Sequence, residues 1–192
     1  MNFIKLIKSK KSVFSINDIK IILNTNNSNT IRNYLTRQKH KWLLKNIWYW
    51  LWTLEDKEIN TFELACKLKK ISYISFETVL KKEWVIFQYY WDNIFLASNN
   101  SIKKKTIKKN FNFIKLKNSI LLNPIWIIHK WTYQIASVER AICDRLYITK
   151  WYYFDNISQI NFEKLEKISQ IYNKRVILEV KKLIINAKSR KT

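Results

Sequence analysis

Small polar and basic side chains are concentrated between residues 28 and 45. Four of them, at the start of a helical stretch, are of types that can hydrogen-bond to base edges: Ser28, Asn29, Thr30 and Asn33. Five cations lie among or after them, where they could contact phosphates: Arg32, Arg37, Lys39, Lys41 and Lys45. The pattern predicts a surface that binds double-stranded DNA. The alternative is a plain amphipathic helix with a solvated polar face.

Residue types suited to catalysis are poorly placed. The two histidines, His40 and His129, have no neighbouring metal ligand or nucleophile at a useful spacing. The chain contains no glycine, and replacing every tryptophan by glycine would not create a phosphate-binding loop. We therefore expect no catalytic residues, no metal site and no cofactor, and we do not expect an enzyme.

One short segment resembles part of an enzyme. Glu179 and Lys181 follow an apolar run, as in the metal-binding strand of restriction-type nucleases, and Asp155 could be their partner. Val176, Val180 and Ile184 keep helical spacing, which argues against a strand there. A DNA-acting nuclease is therefore the less favoured alternative.

The elements that must position the polar residues are two helices and a hairpin. Ser15, with Asp18 three residues later, predicts the start of the first helix through a weak capping box. A polar run at 24–27 breaks this helix, and Ser28 is expected to cap the next one, at 29–41. Residues 42–54 then read as strand, tight turn and strand. The order predicts a winged helix-turn-helix.

Glycine is absent, although about 7% is usual, whereas tryptophan occurs nine times. Many of the tryptophans stand where a helix stop or a tight turn would favour glycine. We hypothesise that a UGA codon read as glycine in the source organism appears here as tryptophan. A genuinely Trp-rich protein is the alternative, and Trp52, in a strand, is the best candidate for a true tryptophan. The glycine-like positions are Trp42, Trp48, Trp50, Trp84, Trp91, Trp131 and Trp151.

A polar break at 55–58 predicts a domain boundary, giving a DNA-binding domain at 1–57 and a second domain at 58–192. The second domain is expected to be α+β, with a small antiparallel sheet and C-terminal helices. Its predicted helices are 61–69, 75–83, 137–149, 162–172 and 174–187, and its predicted strands are 85–90, 93–97, 106–116 and 125–135. The basic run from Lys103 to Lys109 is expected to be a solvated hairpin or loop, or else to extend a DNA-contacting surface or dock an acidic partner.

Composition limits the class of protein. A formal charge of +22 favours a polyanionic partner, either nucleic acid or an anionic membrane surface, although a bias towards AT-rich codons also supplies lysine. No stretch approaches the roughly 20 apolar residues of a membrane span. The N-terminal residues are too charged for a signal peptide. Cys66 and Cys143 fit reduced core thiols. We expect a cytoplasmic protein without a membrane partner.

Two segments of the second domain resemble a known family. Residues 72–80 read Ser-Tyr-Ile-Ser-Phe-Glu-Thr-Val-Leu, and residues 136–146 read Ala-Ser-Val-Glu-Arg-Ala-Ile-Cys-Asp-Arg-Leu. Together with the N-terminal winged helix they resemble the AbiEi-type antitoxins of abortive-infection (type IV) toxin–antitoxin systems. Val138 replaces the proline that is usual in the second motif, a mild departure because proline is only preferred in a first helical turn.

The resemblance implies a transcriptional autorepressor that binds inverted repeats in its own promoter. It further implies a cognate nucleotidyltransferase-like toxin, counteracted by the C-terminal domain. The alternative in the same class is a winged-helix regulator whose C-terminal domain senses a ligand or dimerises.

Overall fold

A computed structural model describes residues 2–88, 90–106 and 109–189. The chain is mixed α+β, as predicted, and divides into two compact units, one up to Leu68 and one from Lys69 onward. The division falls later than the polar break at 55–58. The reason lies in Glu63, whose carboxylate accepts hydrogen bonds from the backbone and hydroxyl of Ser12, both at 2.7 Å. The helix that carries Glu63 is thereby attached to the N-terminal unit.

The N-terminal unit contains four helices and three short strands among its described residues. In chain order they are α1 (Asn2–Lys8), β1 (Phe14–Ser15), α2 (Ile16–Leu23), α3 (Ser28–His40), β2 (Leu44–Trp48), β3 (Leu51–Leu54) and α4 (Thr61–Leu68). The three strands form an antiparallel sheet in the order β1-β3-β2. The helices at 16–23 and 28–40 and the hairpin after them agree with the elements expected from the sequence.

Local chemistry explains why α2 begins and ends where it does. The hydroxyl of Ser15 accepts the Asp18 amide at 3.2 Å, and the Asp18 carboxylate accepts the Ser15 amide at 2.8 Å, which completes a capping box. Asn24 ends the helix in the left-handed conformation with φ of 52°. The apolar stripes of α2 and α3 meet in one core, formed by Leu6, Phe14, Ile19, Ile31, Leu35 and Leu44.

The C-terminal unit is built on a six-stranded mixed sheet. Its elements are β4 (Ser72–Ile74), α5 (Glu77–Lys82), β5 (Asn93–Ser98), β6 (Ile102–Lys105), β7 (Asn110–Lys115), α6 (Asn118–Leu121), β8 (Ile127–His129), β9 (Gln134–Ala136), α7 (Val138–Ile148), α8 (Phe162–Ser169) and α9 (Lys174–Ser189). The strand order is β6-β7-β5-β4-β9-β8. The β4–β9 and β5–β7 pairs are parallel, so the expectation of an antiparallel sheet was wrong.

Several strand predictions need correction. Residues 85–88 are not in a strand, and 125–135 is interrupted, forming the hairpin of β8 and β9 rather than one strand. The strand expected at 106–116 begins only at Asn110 among the described residues. β4 and β6 were not predicted, because three or four residues are too short for a period-2 pattern to be recognised.

A buried polar network joins the two segments that carry the family resemblance. The fully buried Asp144 of α7 accepts hydrogen bonds from Ser75 at 2.6 Å, Tyr172 at 2.7 Å and Tyr73 at 3.0 Å. Arg140, also fully buried, donates to the Tyr73 hydroxyl at 3.2 Å. Burial raises the pKa of Asp144, although Arg140 and the three hydroxyl donors oppose that shift. The network therefore holds β4 and α7 together in the core.

Arg140 also reaches the loop before β8. Its guanidinium donates to the carbonyls of Ile120, Asn123 and Ile125, and its central carbon, Cζ, lies 4.9 Å from the centre of the Tyr73 ring. Five hydrogen-bond donors in a fixed fork allow one arginine to hold so many acceptors. The position of Arg140 thus orders a segment that has little regular structure of its own.

Two tryptophans lie at helix ends in a geometry that favours glycine. After α5, the Val85 amide donates to the Leu80 carbonyl at 2.8 Å and the Trp84 amide donates to the Lys81 carbonyl at 3.1 Å, the two bonds of a Schellman motif. The same pair of bonds surrounds Trp42 after α3. Both residues have φ of 55°, where a β-carbon clashes with the following carbonyl.

The glycine-like positions from the sequence separate into two groups. Left-handed backbone is found at Trp42, Trp84 and Trp91, and also at Trp126, which was not expected. The other expected positions have negative φ, so their backbone does not call for glycine: Trp48, Trp50, Trp131 and Trp151. Trp42 and Trp84 are 79% and 67% exposed, so little apolar burial offsets the strain at these two sites.

We predict that Trp42→Gly and Trp84→Gly each stabilise the protein by about 1 kcal/mol, because glycine relieves a left-handed conformation at little cost in burial. For a chain of this size such a change raises Tm by roughly 2–4 °C. Trp151→Gly is the matched control, since Trp151 is 80% exposed but has negative φ. The control should show no gain, or a loss of about 0.5–1 kcal/mol from the entropy of glycine. A loss of Tm in all three variants would contradict the interpretation of Trp42 and Trp84.

Candidate nucleic-acid interface

The exposed face of α3 carries the small polar residues singled out from the sequence. Ser28, Asn29, Thr30 and Asn33 are all exposed in the first turns of the helix. Ser28 was expected to be the N-cap, but it is the first residue of the helix. The cap is Asn27, whose side-chain oxygen accepts the amides of Asn29 at 2.9 Å and Thr30 at 3.2 Å. Asparagine and serine are almost equally good caps, so sequence alone could not separate them.

Four of the five predicted phosphate contacts are exposed cations. Arg32, Arg37 and Lys39 lie along α3, and Lys41 lies at its end. Lys45 differs from them. Its ammonium donates to the Glu55 carbonyl at 2.6 Å and lies 3.4 Å from the Glu55 carboxylate. The Lys45 side chain is still 41% exposed, and its contact with a phosphate stays a prediction.

The charged residues of α3 are all basic. The helix contains no acidic residue, and three basic residues occupy its last turn. Its first turn contains no carboxylate that would repel an anion near the helix N-terminus. Arg37 donates to the Asn33 carbonyl at 3.4 Å, a bond within the helix that leaves its other donors available. The face combines hydrogen-bonding groups at one end with cations along its length.

The hairpin of β2 and β3 is closed by a side chain that sequence reasoning did not single out. The Asn46 amide donates to the carbonyls of Trp48 at 3.0 Å and Leu51 at 3.1 Å, and the strand register shifts between Asn46 and Trp48. Tyr49 at the tip is 82% exposed. The turn is thus held by an asparagine side chain and does not depend on left-handed backbone at Trp48 or Trp50.

A shallow cavity of about 310 Å³ lies beside α3. Ile31 and Leu35 contribute to its apolar lining, and Lys20 of α2 lines it together with Arg32. Lys20 was missed from the sequence, where it reads only as one more polar residue of α2. It adds a cation beside the predicted phosphate contacts.

The buried Asp18 fixes the helix that precedes α3. Its carboxylate accepts hydrogen bonds from Lys11 at 2.5 Å and from Lys67 and the Ser15 hydroxyl, both at 2.7 Å. Burial on its own would raise the pKa of Asp18, but these partners outweigh burial and hold the pKa below its ordinary value. The ionised carboxylate therefore links the start of α2 to the loop before β1 and to α4.

The residues of the nuclease hypothesis are not arranged as that hypothesis requires. Glu179 and Lys181 lie on the helix α9, not on a strand, and the Glu179 carboxylate accepts the Lys182 ammonium at 3.2 Å. The Asp155 carboxylate instead accepts the Phe87 amide at 2.8 Å. Within the described ranges, no group of three histidine, cysteine or acidic residues is placed to hold a metal ion.

The first part of the basic run after residue 102 lies in β6, which pairs antiparallel with β7 and so agrees with the expected hairpin. Lys103, Lys104 and Lys105 belong to β6, and Lys109 pairs with Asp92 at 2.5 Å. Lys108 lies outside the described residues.

The part of the chain that the structure describes contains no helix long and apolar enough to cross a membrane.

Comparison with known proteins adds no assignment. No protein-family profile matches this chain. A comparison with curated proteins finds no relative either.

We predict that Asp18→Asn destabilises the N-terminal unit by about 2–3 kcal/mol at pH 7, since it removes charge-assisted hydrogen bonds and weakens a helix cap. Because the folded pKa of Asp18 lies below the unfolded value of about 3.9, its stabilisation is complete at neutral pH and is lost as the pH falls through the folded pKa. The difference between the two proteins should therefore shrink below about pH 4.

Urea unfolding followed through amide exchange in α2 and α3 measures this difference at neutral and acid pH. Asp56→Asn is the control, because it makes the same chemical change at an exposed carboxylate. Equal stability of Asp18→Asn and the unaltered protein at pH 7 would contradict the role given to Asp18.

Proposed function

We propose that the N-terminal unit is a winged helix-turn-helix that binds double-stranded DNA through the exposed face of α3. The observation that carries the proposal is a thirteen-residue helix with exposed amides and hydroxyls in its first turns, exposed cations along its length and no carboxylate. A solvated helix without a partner would be expected to alternate charges of both signs on its surface. The one-signed face of α3 favours a polyanion.

The order of elements supports this proposal. A short connection joins α2 to α3, a two-stranded hairpin follows, and β1, which precedes α2, pairs with the second strand of that hairpin. In winged helix-turn-helix proteins the second helix of the pair enters the major groove and its N-terminal residues contact the bases. On this proposal α3 is the recognition helix and the β2–β3 hairpin is the wing.

The side chains of α3 then divide into two roles. Asn29 and Asn33 offer both a donor and an acceptor, as needed for adenine in the major groove. Arg32, Arg37, Lys39 and Lys41 supply charge, which sets affinity and its salt dependence but not the preferred sequence. Lys20 joins the second group because it lines the cavity beside Arg32.

The test measures binding of the full chain to a DNA duplex from the region upstream of its gene, over a range of salt concentrations. Arg37→Ala combined with Lys41→Ala should weaken binding to every duplex and lower the slope of log K against log salt by about 1.8, for two lost phosphate contacts. Asn33→Ala should instead reduce the preference for the upstream sequence, by about 1–3 kcal/mol of discrimination.

Lys5→Ala combined with Lys8→Ala is the control, since both lysines are exposed on α1 and the variant loses the same charge. If this control lowered the slope as much as the α3 variant, general charge and not α3 would explain binding. Absence of salt-dependent binding to any duplex would overturn the proposal.

We further propose, from the family resemblance, that the protein is a cytoplasmic antitoxin that represses its own promoter and counteracts a nucleotidyltransferase-like toxin. The two motifs behind the resemblance, 72–80 and 136–146, lie in one buried network, so substitutions there test folding before function. Relief of growth arrest on co-expression with a nucleotidyltransferase encoded next to this gene supports the proposal. A regulator with a ligand-sensing or dimerising C-terminal domain predicts no such neighbour and no relief.

A further inference from the structure

One end of the C-terminal sheet leaves a polar face open. The strand registers pair Lys103 with Asn112 and Lys105 with Asn110 across β6 and β7, and pair Asn110 with Asn93 across β7 and β5. The Asn112 amide donates to the Asn93 side-chain oxygen at 3.0 Å, so these side chains lie on the same face. We call these five residues the lysine–asparagine face.

Burial separates this face from the opposite one. Along β7 the buried Phe111 and Phe113 alternate with the half-exposed Asn110 and Asn112. Phe111 and Phe113 are 0% and 2% exposed, as expected for the side turned towards the core. Lys103 and Lys105 are exposed on β6, the edge strand of the sheet. The lysine–asparagine face is therefore the accessible side.

The charge on this end of the sheet is not balanced. None of the three strands contains an acidic residue. The carboxylate at the start of β5, Asp92, already pairs with Lys109. Burial lowers the pKa of Lys104, and the neighbouring charge of Lys69 lowers it further. The edge therefore favours an anionic partner.

The shape of the face selects among anions. Lys103 and Lys105 are two residues apart on one strand, hence about 7 Å apart, a spacing suited to successive phosphates of an extended strand. Asn110 and Asn112 lie roughly 5 Å further in, on β7, where the Asn110 amide can both donate to and accept from a base edge and the Asn112 side-chain oxygen can accept. The face belongs to a six-stranded sheet, which is wider than the helix or two-stranded ribbon that the major groove admits, so a duplex fits this face poorly.

We propose that the lysine–asparagine face binds single-stranded nucleic acid, with the lysines on the phosphates and the asparagines on the bases. This site lies in the C-terminal unit and is independent of duplex binding through α3. Lysines on an edge strand also discourage edge-to-edge aggregation, and that role alone would leave the face without a ligand.

The test measures fluorescence anisotropy of the full chain with a labelled oligouridylate of about ten nucleotides. Lys103→Ala combined with Lys105→Ala should weaken binding by about tenfold and lower the salt slope by about 1.4, for two lost contacts to a single strand. Asn110→Asp should also weaken binding, because it keeps the side-chain size but adds a negative charge. Duplex binding should not change in either variant.

Lys150→Ala combined with Lys167→Ala is the matched control, since both lysines are exposed in the same unit and the charge lost is equal. An equal loss in this control, an unchanged affinity in the Lys103 and Lys105 variant, or no binding to the oligouridylate would each overturn the proposal. The proposal would also be overturned if the Lys103 and Lys105 variant lost duplex binding but kept its affinity for the oligouridylate. Arg37→Ala with Lys41→Ala tests duplex binding separately, so failure of one proposal is distinguishable from failure of the other.

Discussion

A buried carboxylate that accepts several hydrogen bonds is the interaction on which each unit depends. In the N-terminal unit this residue is Asp18, whose carboxylate accepts hydrogen bonds from two lysines and one serine. A buried carboxylate without partners would be strongly destabilising, whereas hydrogen bonds to a charged group contribute about 1.5–3 kcal/mol each. Asp18 fixes where α2 begins, and the apolar core shared by α2 and α3 then fixes the side of α3 that faces solvent. The orientation of the candidate interface thus depends on Asp18, a buried residue that is not part of the interface.

In the C-terminal unit the corresponding residue is Asp144, with Arg140 one helical turn before it. Their partners come from β4 and the residue after it, from the loop before β8 and from the segment between α8 and α9. Because these elements are far apart in the sequence, the network closes long loops, and no local pattern could have specified it. The motifs at 72–80 and 136–146 each supply part of this polar cluster, and Tyr172 from outside both motifs completes it.

Prediction from sequence succeeded where local chemistry decides the structure. α2 and α3 follow from apolar spacing and caps, and the helix ends at Trp42 and Trp84 follow from the preference of such positions for glycine. Prediction failed where contacts between residues far apart in the chain determine the structure. The parallel pairing of β4 with β9 and the attachment of α4 to Ser12 both depend on contacts between residues far apart in the chain. Among the candidate site residues, the pairing of Lys45 with Glu55 was not predicted, because Glu55 becomes a neighbour only when the hairpin forms.

The central claim, that α3 and the hairpin after it meet duplex DNA, is tested most directly by amide hydrogen exchange of the full chain with and without a duplex from its upstream region. The account predicts slower exchange in peptides covering residues 28–50, with peptides from α1 unchanged, since binding shields the backbone at the contact. Protection confined to the C-terminal unit, under conditions where the duplex is demonstrably bound, would contradict the account.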